Sequence, residues 1–302
     1  MQQILLIATG GTIACRETAQ GLSPVLDGAA LLQELPVLRA WCTVSVCDLL
    51  RLDSTDLTAG DRMQIARTVW ENRARYDGFV IAHGTDTLSY TAALLHHVLR
   101  EIDKPVVLTG SMLPMGAPGS DAPRNLLDAC RTAVSGRAGV FAVLHGKVIE
   151  GCRVIKRHSS EMDAFLSAGT PPAAAIDPDG TLTWQAPPQP PGTPSLVQQI
   201  DPHVLLVKLI PDLAPSFFQA LHGYPHVIIE AFGAGGVRAR LEDAVRGLIR
   251  SGTRVYITSQ CTEGGADLHK YEVGRRAEKM GAVSLGLRTT EDALAAVMCG
   301  EL

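Results

Sequence analysis

A chain of 302 residues with 46% hydrophobic and 19% charged side chains can bury a large core, as one large domain or two ordinary ones. Its formal net charge of −4 and the lack of any basic block argue against nucleic acid or an anionic membrane as main partners. No apolar stretch approaches the ~20 residues of a membrane helix. The apolar run at the N-terminus is too short for the core of a signal peptide, so the expected home is the cytoplasm.

In chain order, residues 3–8 read as a short buried strand that breaks into Thr9-Gly10-Gly11-Thr12. Residues 14–27 are polar and glycine-containing, and read as a loop long enough to act as a lid. A strand at 43–47 leads to Asp53-Ser54-Thr55-Asp56. A helix follows over 58–76, with Thr58 as N-cap and Met63, Ile65, Ala66, Val69 and Trp70 on one stripe. The strand 78–82 ends in His83-Gly84-Thr85-Asp86-Thr87, and helix 86–99, strand 105–109, helix 121–134 and strand 139–144 continue the alternation. Such alternation of short apolar strands with helices predicts a doubly wound α/β sheet. His145-Gly146-Lys147 reads as a hairpin, and Pro178-Asp179-Gly180 as a turn before a strand ending at Trp184.

Residues 186–195 carry five prolines and predict an extended linker. After it, strands at 204–208, 226–230 and 254–258 alternate with helices at 213–221, 238–250 and 290–299. The expectation is a larger N-terminal catalytic domain over 1–185, a proline-rich linker over 186–202 and a smaller C-terminal α/β domain over 203–302. The seven cysteines are odd in number and scattered, with no Cys-x-x-Cys pair, so reduced thiols are the simpler reading than disulfides or zinc.

Two strand ends, each offering a threonine, suggest a hydroxyl nucleophile with a partner set. A threonine hydroxyl is a poor nucleophile at neutral pH and needs a base or a charged partner. The Thr12 loop also admits a nucleotide phosphate, although its adjacent glycines lack the Gly-x-Gly-x-x-Gly spacing of a dinucleotide site. Thr85 or Asp86 could equally cap the helix that follows. Lys156 stands in an extended apolar run. It either reaches out to water or, held near an aspartate and a threonine, serves as a base.

The ordered set of motifs resembles the bacterial-type L-asparaginases, and most of all their type I-like cytoplasmic branch. It comprises Thr9-Gly10-Gly11-Thr12-Ile13-Ala14, Asp53-Ser54-Thr55-Asp56, His83-Gly84-Thr85-Asp86-Thr87, Thr109-Gly110-Ser111, Ser120-Asp121 with Asn125-Leu126, and Lys156. The resemblance spans the whole chain. It implies hydrolysis of L-asparagine to L-aspartate and ammonia, with no metal or cofactor. Thr12 matches the nucleophile that forms an acyl-enzyme, and Thr85, Asp86 and Lys156 match the second catalytic group. Ser54, Thr55 and Asp86 match the residues that hold the amino-acid end of the substrate, with Gly11 and Gly84 lining the site. Backbone N–H groups near Gly11 and Thr85 suit an oxyanion.

The resemblance also implies a homodimer or homotetramer in which a neighbouring subunit completes each site; Tyr271 and Glu272 are the candidates for that contribution. Many members carry an activating tyrosine in the lid, where this chain has Leu22. A stretch similar to Ser259-Gln260-Cys261 helps form an effector site in type I-like relatives, and a plain loop is the favoured reading here. Two other readings of the same scaffold are a non-catalytic aspartate or asparagine sensor and an amidase of broader asparagine and glutamine specificity. The amidase subunit of a tRNA-dependent amidotransferase is disfavoured, because the first motif begins at residue 9 and leaves no room for an extra N-terminal domain.

Overall fold

The apolar runs of the sequence become the strands of two sheets. The computed structural model describes residues 1–18, 21–190 and 192–302, and the chain divides into two compact units, Met1–Gln198 and Gln199–Leu302. The first unit begins with β1 (Gln2–Gly10), β2 (Cys15–Thr18), β3 (Gly21–Pro24), α1 (Gly28–Gln33), β4 (Cys42–Leu52) and α2 (Ala59–Asn72). Next come β5 (Gly78–Ala82), α3 (Leu88–Val98), β6 (Leu99–Arg100), β7 (Pro105–Thr109), α4 (Ala122–Val134) and β8 (Gly139–Leu144). The unit closes with β9 (Lys147–Glu150), β10 (Val154–Lys156), β11 (Phe165–Ser167), β12 (Ala174–Ile176), β13 (Leu182–Trp184) and β14 (Ser195–Leu196).

Eight strands form one sheet in the order β13-β12-β9-β8-β7-β5-β1-β4. From β4 to β8 every pair is parallel, with Leu6 between Val46 and Val80 at the centre. Ile4 to Ala8 and the whole of β5 and β7 are buried, which is why these strands read as unbroken apolar runs. The predicted doubly wound sheet is therefore its parallel half. The β8–β9 hairpin turns through His145 and Gly146, both at positive φ, and starts an antiparallel extension through β12 and β13.

Several elements differ from their sequence expectations for local reasons. Helix α2 starts where expected, with a capping box between Thr58 and Asp61, but stops at Asn72. Asp77 must bond both the N–H and the carbonyl of Gln3, at 2.8 Å each, to lead the chain back into β5. Met63, Ile65, Ala66 and Val69 are buried as the stripe predicts, and Trp70 is half-buried. The stretch expected to act as a lid holds an antiparallel β2–β3 pair rather than a plain loop; its residues 19 and 20 lie outside the described residues. The proline-rich stretch ends in β14, which pairs with β6. All seven cysteines are free thiols.

The second unit holds β15 (Val204–Lys208), α5 (Pro215–Gln219), β16 (His226–Ala231), α6 (Glu242–Arg250), β17 (Arg254–Ser259), α7 (Glu272–Lys279), β18 (Val283–Ser284) and α8 (Thr290–Met298). Its four strands are all parallel. Helix α7 is absent from the sequence reading: of its residues only Gly274 and Ala277 are buried, so its core-facing side is narrow and carries no large apolar side chain.

In the first unit the strand ends are tied beyond their ladders. The Thr9 hydroxyl donates to Ala82 O at 2.9 Å and the Thr109 hydroxyl to Val143 O at 2.7 Å, while His83 N–H reaches Thr109 O. The loops after β1 and β5 then press backbone against backbone. A Cβ on Gly11, which sits at φ +75°, would stand 2.2 Å from Gly84 Cα. A Cβ on Gly84 would stand 2.7 Å from the Ser54 side chain after β4. Only glycine allows this approach. Gly11→Ala is therefore expected to cost more than ~2 kcal/mol in urea denaturation. Gly60→Ala in the first turn of α2, where a Cβ meets only Thr58 Oγ1 at 3.5 Å, should stay within ~1 kcal/mol of the parent.

Candidate active site

The residues after the touching glycines are the two threonines. Thr12 opens a short 3₁₀ turn, Thr12–Ala14, and is half-buried. Thr85 is buried at 5% exposure. The capping alternative does not hold. Helix α3 begins only at Leu88, its N-cap position is Thr87, and no side chain caps it. The Thr87 hydroxyl instead donates to Ser54 O at 2.7 Å, and Thr87 N–H approaches Ser54 Oγ at 3.4 Å. Thr85 and Asp86 are thereby left out of the helix, with their side chains available to another element.

That element is the small antiparallel sheet of β10 and β11, where Lys156 pairs with Phe165. The Lys156 ammonium donates to Thr85 Oγ1 at 2.9 Å and to Asp86 Oδ1 at 2.6 Å. Lys156 is 14% exposed, against 60% for Asp86. The lysine is thus held inward by two partners rather than reaching for water. A charged donor on a buried hydroxyl oxygen favours the alkoxide-like form of that oxygen, and the exposed Asp86 carboxylate keeps a second oxygen that this lysine does not engage. Behind it, Lys147 pairs with Asp163 and donates to Phe165 O at 3.0 Å, fixing the hairpin that presents Lys156.

The floor of the site is polar and closed on itself. The Asp121 carboxylate accepts from Met112 N, Leu113 N and Asn125 Nδ2. Asn125 also donates to Gly110 O and accepts from His145 N. His83 is wholly buried between Gly84 O at 2.7 Å and the Thr91 hydroxyl at 2.9 Å. Burial, reinforced by the Arg62 charge and opposed by the Gly84 bond, pulls its pKa from 6.5 down to about 4. Neither Arg62 nor Thr91 stands out in the sequence. The one signal is a threonine on the buried face of α3, which also buries Ser89 and His97.

The remaining expected residues fall in different places. Ser54 is buried at the meeting of Gly11 and Gly84. Thr55 is exposed, and both its hydroxyl and its N–H are engaged by Asp53. Gly11 N–H is bonded to Leu52 O, so it is not available to an oxyanion. Leu22 lies opposite Glu17 in the β2–β3 hairpin, and its side chain is outside the described ones. In the second unit Tyr271 is 55% exposed with Lys270 beside its ring, and Glu272 pairs with Arg276 at 2.7 Å. Ser259 and Gln260 bond carbonyls of Gly233, Leu209 and Glu230, as structural loop residues do. Among the described residues no His, Cys, Asp or Glu cluster is arranged for a metal, and no helix is long and apolar enough to cross a membrane.

A two-unit α/β chain with a threonine after each of two neighbouring parallel strands, and a lysine from a separate ribbon bonded to one of them and to the carboxylate beside it, defines a recognisable class. Residues 3–189 match the model of the asparaginase N-terminal domain and residues 203–300 that of the glutaminase/asparaginase C-terminal domain. The chain belongs to the asparaginase family. It is 37% identical over 300 residues to an L-asparaginase of Thermococcus kodakarensis, covering 98% of this chain and 92% of that one. It is also 33% identical to a subunit of the glutamyl-tRNA(Gln) amidotransferase of Pyrococcus furiosus, covering 93% of this chain and 67% of that one.

Among solved structures, the thermostable L-asparaginase of Thermococcus kodakarensis superposes with a TM-score of 0.93 at 38% identity, over 99% of this chain and 92% of that one. A probable cytoplasmic L-asparaginase of Campylobacter jejuni superposes with a TM-score of 0.86 at 26% identity, over 100% of this chain and 95% of that one.

The buried His83 has a consequence for stability. As pH falls, the unfolded chain takes up this proton before the folded one does. The contribution is complete above pH 6.5 and drains away as pH falls toward about 4, by roughly 3 kcal/mol. His83→Asn should flatten the pH dependence of the unfolding free energy across that window. An equally steep dependence in the variant would show that other groups carry it.

Proposed function

We propose that this chain is an amidohydrolase that cleaves L-asparagine to L-aspartate and ammonia through a threonine acyl-enzyme. The observation that carries the reading is the Lys156 ammonium seated on both Thr85 Oγ1 and Asp86 Oδ1, one glycine contact away from Thr12. Thr12 Oγ attacks the side-chain amide carbon, and its proton passes to the departing nitrogen, which leaves as ammonia. Water then attacks the ester, assisted by Thr85 with Lys156 lowering the cost of charge on its oxygen. The second oxygen of Asp86 suits the substrate's α-ammonium, and Ser54 suits its α-carboxylate. Gly11 and Gly84 keep the floor narrow by carrying no side chain.

In this reading the chain works as a homodimer or homotetramer in the cytoplasm. Tyr271 or Glu272 of a neighbouring subunit supplies the group near Thr12 that Leu22 does not. The match of residues 203–300 to a glutaminase/asparaginase C-terminal domain favours a second reading, an amidase that also accepts glutamine. One methylene in a pocket is worth only ~1–3 kcal/mol of discrimination, so the two amides differ by degree.

Thr12→Ala and Lys156→Met should each lower ammonia release from L-asparagine on the order of 10³-fold or more while leaving the thermal transition in place. Near-parental turnover by either purified variant would sink the assignment. Binding of aspartate without ammonia release by the parent would point to the sensor instead.

A further inference from the structure

A line of hydrogen bonds runs from α2 into the loop after β5, and each bond in it points the same way. Gly84 O can only accept, so His83 Nδ1 carries the proton of their 2.7 Å bond. The neutral ring then accepts at Nε2, where the Thr91 hydroxyl donates at 2.9 Å. The Thr91 oxygen in turn accepts from Arg62 Nε at 3.1 Å. His83 and Thr91 are both fully buried, and Arg62 is half-buried. A chain of like-directed bonds polarises each successive member, more strongly where the dielectric is low. Here a guanidinium charge stands at the donor end and a peptide carbonyl at the other.

That carbonyl belongs to the Gly84–Thr85 peptide. Across a trans peptide the carbonyl and the next N–H point in opposite directions. A Gly84 carbonyl drawn onto His83 therefore turns Thr85 N–H away from the ring. No carbonyl of the described residues accepts that N–H, although Thr85 is buried. Buried backbone donors without a protein partner are rare, which points to a partner that arrives with the substrate.

We propose that Arg62, Thr91 and His83 are positioning residues that aim and polarise the Gly84–Thr85 peptide, making Thr85 N–H a preorganised donor to the substrate oxygen that becomes negative. The inference rests on the amidohydrolase reading above and deepens it. Such a donor acts on the transition state more than on the bound substrate. The neutral ring keeps the line intact, because a proton on Nε2 would turn the Thr91 hydroxyl from donor to acceptor and set a second cation across that one oxygen from Arg62. Arg62 is the charged group that acts on His83 from α2, and Asp61 and Tyr90 in turn bear on Arg62.

The test compares Arg62→Met, Thr91→Val and the double variant with the parent. Each single variant should lower kcat for L-asparagine roughly tenfold with little change in KM, and the double variant should lose no more than the worse single. In Arg62→Met the acid limb of the kcat profile should also move to higher pH, since the charge that disfavours His83 protonation is gone. A packing defect alone would lower the melting temperature without moving that limb.

The Thr85 amide proton in the NMR spectrum of the unliganded protein gives a readout independent of turnover, and it should shift upfield in Arg62→Met. An unmoved amide resonance, or an unchanged kcat and acid limb, overturns the proposal. Absence of amide hydrolysis by the parent would overturn the functional reading instead, with the amide resonance still deciding the relay.

Discussion

The contact of Gly11 with Gly84 is the constraint on which the first unit's chemistry depends. Two loops from neighbouring parallel strands meet with no side chain between them, and Ser54 closes against the same point from the strand beyond. Adjacent strands in a sheet are ~4.8 Å apart, and loops leaving their ends ordinarily diverge. Removing both Cβ atoms lets these loops converge instead. The residue after each glycine is a threonine, so one steric fact sets the separation of two hydroxyls that lie far apart in the chain.

Everything else at the site either supports that meeting or supplies charge to it. The Thr9 and Thr109 hydroxyls extend the sheet's bonding one step past the strands. The Asp121 and Asn125 side chains hold the loop after β7 and the turn after β8. His83 braces the Gly84 carbonyl from below. These are satisfied, buried polar groups, and such networks fix one geometry because any rearrangement leaves a donor or acceptor unpaired. Charge enters from the side: Lys156 comes from outside the main sheet and brings the only ammonium within bonding distance of Thr85 among the described residues.

Much of this was legible in the order of residues. Parallel strands announce themselves as short apolar runs, and a glycine pair after one of them marks a place where something must come close. The hairpin at His145-Gly146 and the cap at Thr58 were equally local and equally readable. What could not be read were relations between distant segments. Nothing local distinguishes an Asp86 that caps α3 from one that holds a lysine seventy positions away. The role of Arg62 depends on the direction of one Nε–H bond, and the antiparallel half of the sheet depends on where short strands find an edge. Helix α7 escaped notice because the side it buries is made of a glycine and an alanine rather than of large apolar residues.

The lysine's origin sets the order in which this molecule fails. Lys156 is carried by a two-stranded ribbon, β10 with β11, that shares no ladder with the eight-stranded sheet. Small ribbons open at lower free energy than the core strands beside them. Mild heat or denaturant would therefore withdraw the ammonium from Thr85 while β1, β5 and β7 remain intact. On the proposed assignment, activity is then lost before global unfolding, with nearly all of the secondary structure outside the ribbon still in place. The same separation leaves residues 159–161 the most room to vary, while Asp163 ties the ribbon to Lys147 of β9 in the main sheet.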